Sequence, residues 1–531
     1  NSILLYINCL TNHHKINNMN TLFPTEDQPS AYALAELGFT NPFGSERIDL
    51  EKQILGERYT PAFHIWVITP THQGFSPNLI PLANVGESLI ASAQTRIEQG
   101  YRPTDKEWQL YGDVALYVLY YRYEGHFYKV VTDDEISRTE MPFYSRFLTD
   151  WRQLFANTPL VQQQQFIAEH MFALLFQIRR AFHFIFRAIL GTSSAASALR
   201  MAVWESIFSH DMRRYQRSLY QRIHEVSTLI LGESGTGKEL VASAIGLARY
   251  IPFSTKTKTP RFESDYLADF QAVHLAALPL TLLESELFGH RKGSFTGATG
   301  DRVGYLETTH QAQTVFLDEI GELPAEVQVK LLRVLQGRQF QRVGDNDSRI
   351  FYGKIVSATH RDLAAAIEAG KFRSDLYYRL CSDIIRTPSL ADQLADNKEE
   401  LYHLVTLVTG KIVNADIAND IAKEAHSWIS QHLPNYTWRG NMRELEQCVR
   451  SIIIHGSYQP NVSKTNLNYR QQFAHAVSEG QLDNDTLLGR YYALVYAQTG
   501  SYEATAQRLG TNWRTVKSNM DIAFLEQLKK V

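Results

Sequence analysis

At 531 residues the chain is too long for one ordinary core, so three or four domains are expected. Apolar content of 44% and charged content of 21% are those of a globular protein, and a formal net charge of −3 excludes a uniformly basic nucleic-acid coat. Cys9, Cys381 and Cys448 lie too far apart for a metal or disulfide framework, which fits a reducing cytoplasm.

The sequence opens on Asn1, and its first methionine is Met19, so residues 1–18 read as an upstream extension with no secretory pattern. Residues 1–140 read as a mixed α/β regulatory region. Within it, Ala115–Tyr123 and His126–Val131 are β-branched and aromatic runs parted by Glu124-Gly125, the pattern of a hairpin. Residues 141–190 read as a helical connector, its phenylalanines Phe166, Phe172, Phe176 and Phe182 serving as core. Met171–Ile178 is apolar but far short of the ~20 residues that span a bilayer, so no membrane segment is expected.

Over 191–390 short apolar runs alternate with helical stretches. Ser227–Leu231, Ala272–Leu275, Thr314–Leu317 and Lys354–Ala358 are the expected strands of a doubly wound parallel sheet. Residues 391–460 then read as helices only, 461–481 as a linker, and 482–531 as a separate small helical domain.

Gly232-Glu233-Ser234-Gly235-Thr236-Gly237-Lys238 follows the strand Ser227–Leu231 and precedes the helical run Glu239–Ala248. That is the setting a phosphate-binding loop requires. Its glycines let backbone N–H groups converge on phosphate oxygens, the helix start adds positive potential, and Lys238 reaches the terminal phosphates. The sequence therefore predicts ATP binding at residues 232–239. Glu239 stands where a magnesium-holding hydroxyl is usual. The apolar strand Thr314–Leu317 runs into Asp318 and Glu319, at the sheet edge where ligands bind. Asp318 suits Mg2+, and Glu319 suits deprotonating an attacking water.

From Gly191 to Gln447 the sequence resembles the central AAA+ domain of sigma-54-dependent transcription activators, the bacterial enhancer-binding proteins. Residues 232–239 match that family's own form of the loop, Glu239 included. The segment Gly293-Ser294-Phe295-Thr296-Gly297-Ala298 is similar to its sigma-contacting loop, with Phe295 and Thr296 as the exposed contact pair. Ser357–Leu363, containing Thr359, resembles a sensor segment, and Phe372–Leu380, containing Arg373 and Arg379, an arginine-finger segment. Tyr436–Leu445 resembles a second sensor that places Arg443 on the nucleotide. The resemblance implies ATP hydrolysis with Mg2+ in a hexameric ring acting on the sigma-54 RNA polymerase holoenzyme. Three departures stand out: His274 replaces a usual asparagine, Thr387-Pro388-Ser389-Leu390-Ala391-Asp392 replaces the family's usual stretch after Leu380, and Trp204–Val226 is longer than the family's usual approach to the loop.

Near the C-terminus, Glu503–Leu509, a turn at Gly510 and a second helix follow the helix-turn-helix plan. The segment is similar to the Fis-like module of these activators. It assigns Thr511, Asn512, Trp513, Arg514 and Lys517 to double-stranded enhancer DNA. Two other readings stay open on sequence: an AAA+ remodeller without sigma contact, and a DNA-binding regulator with an inactive motor.

Overall fold

The computed structural model describes residues 21–61, 76–397, 399–434, 436–460, 469–478 and 480–529. Nine strands occur among them: β1 (Thr228–Leu231), β2 (Phe253–Ser254), β3 (Arg261–Phe262), β4 (Phe270–His274), β5 (Thr314–Asp318), β6 (Gln339–Phe340), β7 (Arg349–Ile350), β8 (Lys354–Thr359) and β9 (Asp383–Arg386). Five of them form the expected parallel sheet in the order β4-β5-β8-β1-β9. The other four pair antiparallel as β2-β3 and β6-β7. The four strands expected from the sequence are all present, and within this sheet β9 is the one that the sequence reading lacks.

Side chains alternate across the sheet with a period of two, and here both faces are apolar. Leu229, Val315, Leu317 and Ile355 join one core with the helices Leu280–Phe288 and Ala325–Gly337. Ile230, Phe316, Val356 and Ile385 face the other core, on the helix Lys238–Leu247. That second core does not stop at the motor. It runs through Phe172, Phe176 and Ile185 of the helix Ala168–Ala188 into Val114, Val118 and Phe127 of the helix Asp105–Thr132. The region before residue 190 and the sheet therefore share one continuous apolar interior.

The expected hairpin is not there. Ala115–Val131 lies within one helix, Asp105–Thr132, that passes through Glu124-Gly125 without a break. Its start is fixed by a capping box, in which Thr104 accepts from the Glu107 N–H and Glu107 accepts from the Thr104 N–H. The helix is buried on several sides at once, so its β-branched and aromatic residues record burial rather than a strand. Among the described residues of 21–140 every regular element is a helix, so the mixed α/β reading of that region is corrected to helical.

Residues 390–455 are helical throughout their regular elements, as expected. Tyr458–Val531 form a second, smaller compact unit. This smaller unit holds the helices Tyr469–Ser478, Asn484–Thr499, Tyr502–Leu509, Trp513–Asn519 and Ile522–Lys529. The first of these falls inside the range read as linker, and Phe473 packs on Phe524 with ring centroids 5.5 Å apart.

Candidate active site

β1 delivers the chain into the turn Gly232–Gly237 and the helix Lys238–Leu247 takes it out. Gly235 and Gly237 have φ of +80° and +86°, left-handed values that a side chain resists. At Gly235 a Cβ would also stand 2.2 Å from the Gly440 carbonyl oxygen, so only glycine allows the helical region to close over the loop. Thr236 Oγ1 donates to the Glu233 carbonyl at 2.8 Å and meets Thr387 Oγ1 at 2.7 Å. Lys238 Nζ donates to the carbonyls of Gly232 and Glu233, both at 2.9 Å, which curls the loop around the ammonium. Burial holds that ammonium below its ordinary pKa, while Glu319 and Asp318 pull the other way. The three side chains are thus electrostatic neighbours.

Asp318 ends β5, one strand from β8 and two from β1. Its Oδ1 accepts from the Glu319 N–H at 3.0 Å. Glu319 has φ of +57°, a left-handed turn that aims its carboxylate back across the sheet edge. There its Oε2 lies 2.8 Å from His360 Nδ1 and accepts from Thr359 Oγ1 at 3.4 Å. The buried Thr359 is therefore a partner of the candidate base. His274 stands opposite Asp318 in register, with Nδ1 3.2 Å from Asp318 Oδ2 and Nε2 4.0 Å from Glu239 Oε1. Its contacts are with the two carboxylates flanking the phosphate loop, and Glu319 takes His360 instead.

The helical region supplies the opposite wall. Asn441 is buried and has φ of +53°. Its Nδ2 donates to Glu233 Oε2 at 3.1 Å and to the Ser234 carbonyl at 3.0 Å, while Oδ1 accepts from the Leu390 N–H at 2.7 Å. Arg443 Nη1 reaches Ser234 Oγ at 3.5 Å. A small cleft lined by Leu190, Thr236, Gly237, Leu240, Pro388 and Met442 opens beside the loop. The roles of Asn441, His360 and this cleft were missed by sequence reasoning. Asn441 had one usable signal, a Gly-Asn pair at a helix start, since asparagine tolerates positive φ better than most residues.

The other assigned residues lie elsewhere. Arg373 pairs with Asp375 at 2.7 Å, and Arg379 is exposed on the helix Ser374–Leu380. Neither has a hydrogen bond or ion pair with the phosphate loop. Gly293–Ala298 forms a tight turn in which the Gly293 N–H donates to the Ala298 carbonyl at 2.9 Å. Its base is tied by paired backbone bonds between His290 and Arg302 and by Arg291 with Asp301 and Asp345. Thr296 is exposed, but Phe295 is half-buried with its ring 4.9 Å from that of His290, so the expected exposed pair reduces to Thr296. In the smaller unit, Tyr502–Leu509 and Trp513–Asn519 are two helices joined at Gly510, whose φ is +63°. Asn512 caps the second helix by accepting from the Arg514 N–H at 2.9 Å, and Trp513, Arg514 and Lys517 are exposed.

Residues 207–386, which carry the loop, Asp318, Glu319 and Gly293–Ala298, match the sigma-54 interaction domain. Over 244 residues, 45% of its length, the chain is 43% identical to a Nif-specific regulatory protein of Azotobacter vinelandii, covering 42% of that protein. It is 41% identical over 229 residues to the DNA-binding transcriptional regulator NtrC of Azospirillum brasilense, covering 43% of each chain. It is also 41% identical over 229 residues, 42% of this chain and 47% of the relative, to the transcriptional regulatory protein GlrR of Escherichia coli. The chain thus spans less than half the length of these relatives. No described helix is long and apolar enough to cross a membrane.

Proposed function

We propose that the protein is a cytoplasmic, ATP-hydrolysing transcription activator that binds enhancer DNA and converts closed complexes of sigma-54 RNA polymerase into open ones. The observation that carries this is one chain holding both a phosphate loop facing paired carboxylates and the Gly293–Ala298 loop of a sigma-54 interaction domain. Lys238 and the loop amides hold the ATP phosphates, and Asn441 and Arg443 close over them. Asp318 is the residue that would hold Mg2+, which would supply charge neutralisation on the phosphates. Glu319, oriented by His360 and Thr359, takes the proton of the attacking water.

Arg373 and Arg379 do not turn inward to their own site, which supports the reading that they reach a neighbour's γ-phosphate in a hexameric ring. The helix pair after Ser501 is the DNA module, with Thr511, Asn512, Trp513, Arg514 and Lys517 on the duplex. The test is Thr296→Ala. ATP turnover should stay near wild type while open-complex formation at a sigma-54 promoter is lost. Full activation by that variant would remove the loop from its role.

A further inference from the structure

At the end of the sheet remote from the phosphate loop lies a cleft of about 940 Å3, within the size range of small-ligand sites. One wall is the segment before β1, the stretch that runs longer than is usual in the family, and it contributes Tyr220, Arg222 and His224. Arg249, Tyr250 and Tyr352 come from the motor. Arg249 is only 5% exposed, and its Nη2 donates to the Gln311 carbonyl at 3.0 Å. Its Nη1 is buried with no hydrogen-bond partner, as is His224 Nδ1. A guanidinium nitrogen left unpaired in a buried position is costly, and a protein ordinarily satisfies it.

Two further basic side chains lie near Arg249. Lys354 is buried beneath the cleft, donating to the Val226 carbonyl at 2.7 Å. Arg338 lies over the Phe351 ring. Burial first, then Arg249, Arg338 and Lys354, holds the His224 imidazole neutral with its pKa pushed down to about 4, and burial pushes the Lys354 ammonium itself down to about 7. The buried acid nearby, Asp269, is already engaged by His310 at 2.9 Å and Ser264 at 2.5 Å. Glu225 and Glu263 are exposed and stand at the rim. Arg249 is therefore the buried charged group that lines the cleft, with aromatic rings beside it.

We propose that this cleft binds a small organic oxyanion, with its phosphate or carboxylate on Arg249 and its body against Tyr220, Tyr250 and Tyr352. Such a ligand would touch side chains that the N-terminal helices hold in place. Tyr220 accepts from Gln164 Nε2 at 2.8 Å, and His170 of the helix Ala168–Ala188 bonds the Tyr250 hydroxyl and the Gln216 carbonyl at 2.8 and 2.9 Å. The site is thus placed where the N-terminal helices meet the motor.

Calorimetric titration of the full chain with phenyl phosphate and with benzoate tests this, under saturating ADP so that the phosphate loop is filled. The expected result is one saturable site per chain at submillimolar Kd for at least one probe, the tighter one identifying the head group. Arg249→Gln should weaken that binding tenfold or more. Tyr352→Glu, at a position 52% exposed and therefore harmless to folding, should do the same by placing a negative charge at the mouth. Absence of saturable binding for both probes overturns the proposal. So does wild-type affinity in either variant shown by thermal unfolding to be folded.

Discussion

Asn441→Ala separates the latch from the loop it holds. The substitution removes four hydrogen bonds, at 2.7, 3.0, 3.1 and 3.4 Å, and leaves the Leu390 N–H buried without its acceptor. An orphaned buried donor costs about 1–3 kcal/mol. Keeping alanine at φ near +53° adds roughly 1–2 kcal/mol. The phosphate loop and the helical region meet through this side chain, so part of that cost falls on closure over the nucleotide. With about 1.4 kcal/mol per factor of ten, ATP binding should weaken at least tenfold. Fluorescence titration with a labelled ATP analogue measures it directly. Asn441→Gly, which relieves the backbone but restores no hydrogen bond, should recover only part of the loss. Affinity within twofold of wild type, in a folded Asn441→Ala protein, would refute the latch.

Gly235→Ala should cost at least as much ATP affinity, because its Cβ would meet the Gly440 carbonyl oxygen and the residue must keep a positive φ; normal affinity would show that the closed contact is dispensable. His360→Ala should lower kcat about tenfold or more, general-base catalysis typically contributing about 10²–10⁴, with little change in KM, since the ring orients Glu319 rather than the nucleotide. An unchanged kcat would leave Glu319 positioned by Thr359 alone. Stability should fall as pH drops from about 6.5 toward 4, because burial holds His170 and His224 neutral with pKa pushed down to about 4. The unfolded chain binds more protons across that window, so a stability that rises on acidification would contradict the assignment. His170→Gln should flatten that slope in thermal unfolding followed across the same pH range.

The sheet and the phosphate loop were legible in the sequence because short apolar strands, glycines and paired carboxylates are local signals. β9 was not, since Asp383-Ile384-Ile385-Arg386 has polar ends and joins the sheet edge only through β1. The false hairpin at Ala115–Val131 came from reading β-branched and aromatic residues as strand formers. The capping box at Thr104 and burial on several sides made the same residues helix core. The partners of Glu319 and Asp318 were also out of reach, because His360 and His274 are brought in by neighbouring strands whose register no local pattern states. The shared core carries a practical consequence. Deleting residues 1–190 would uncover Ile245 and Val241 of the motor helix, so regulation is better probed by point substitutions than by truncation.

The proposed function turns on whether hydrolysis at this site drives promoter opening. The most direct measurement is formation of heparin-resistant complexes by sigma-54 RNA polymerase on an enhancer-bearing promoter, with wild-type protein and Glu319→Gln compared in ATP. Wild-type protein should yield stable open complexes, and Glu319→Gln should bind ATP yet yield almost none. Equal yields from the two proteins, with hydrolysis abolished in the variant, would contradict it.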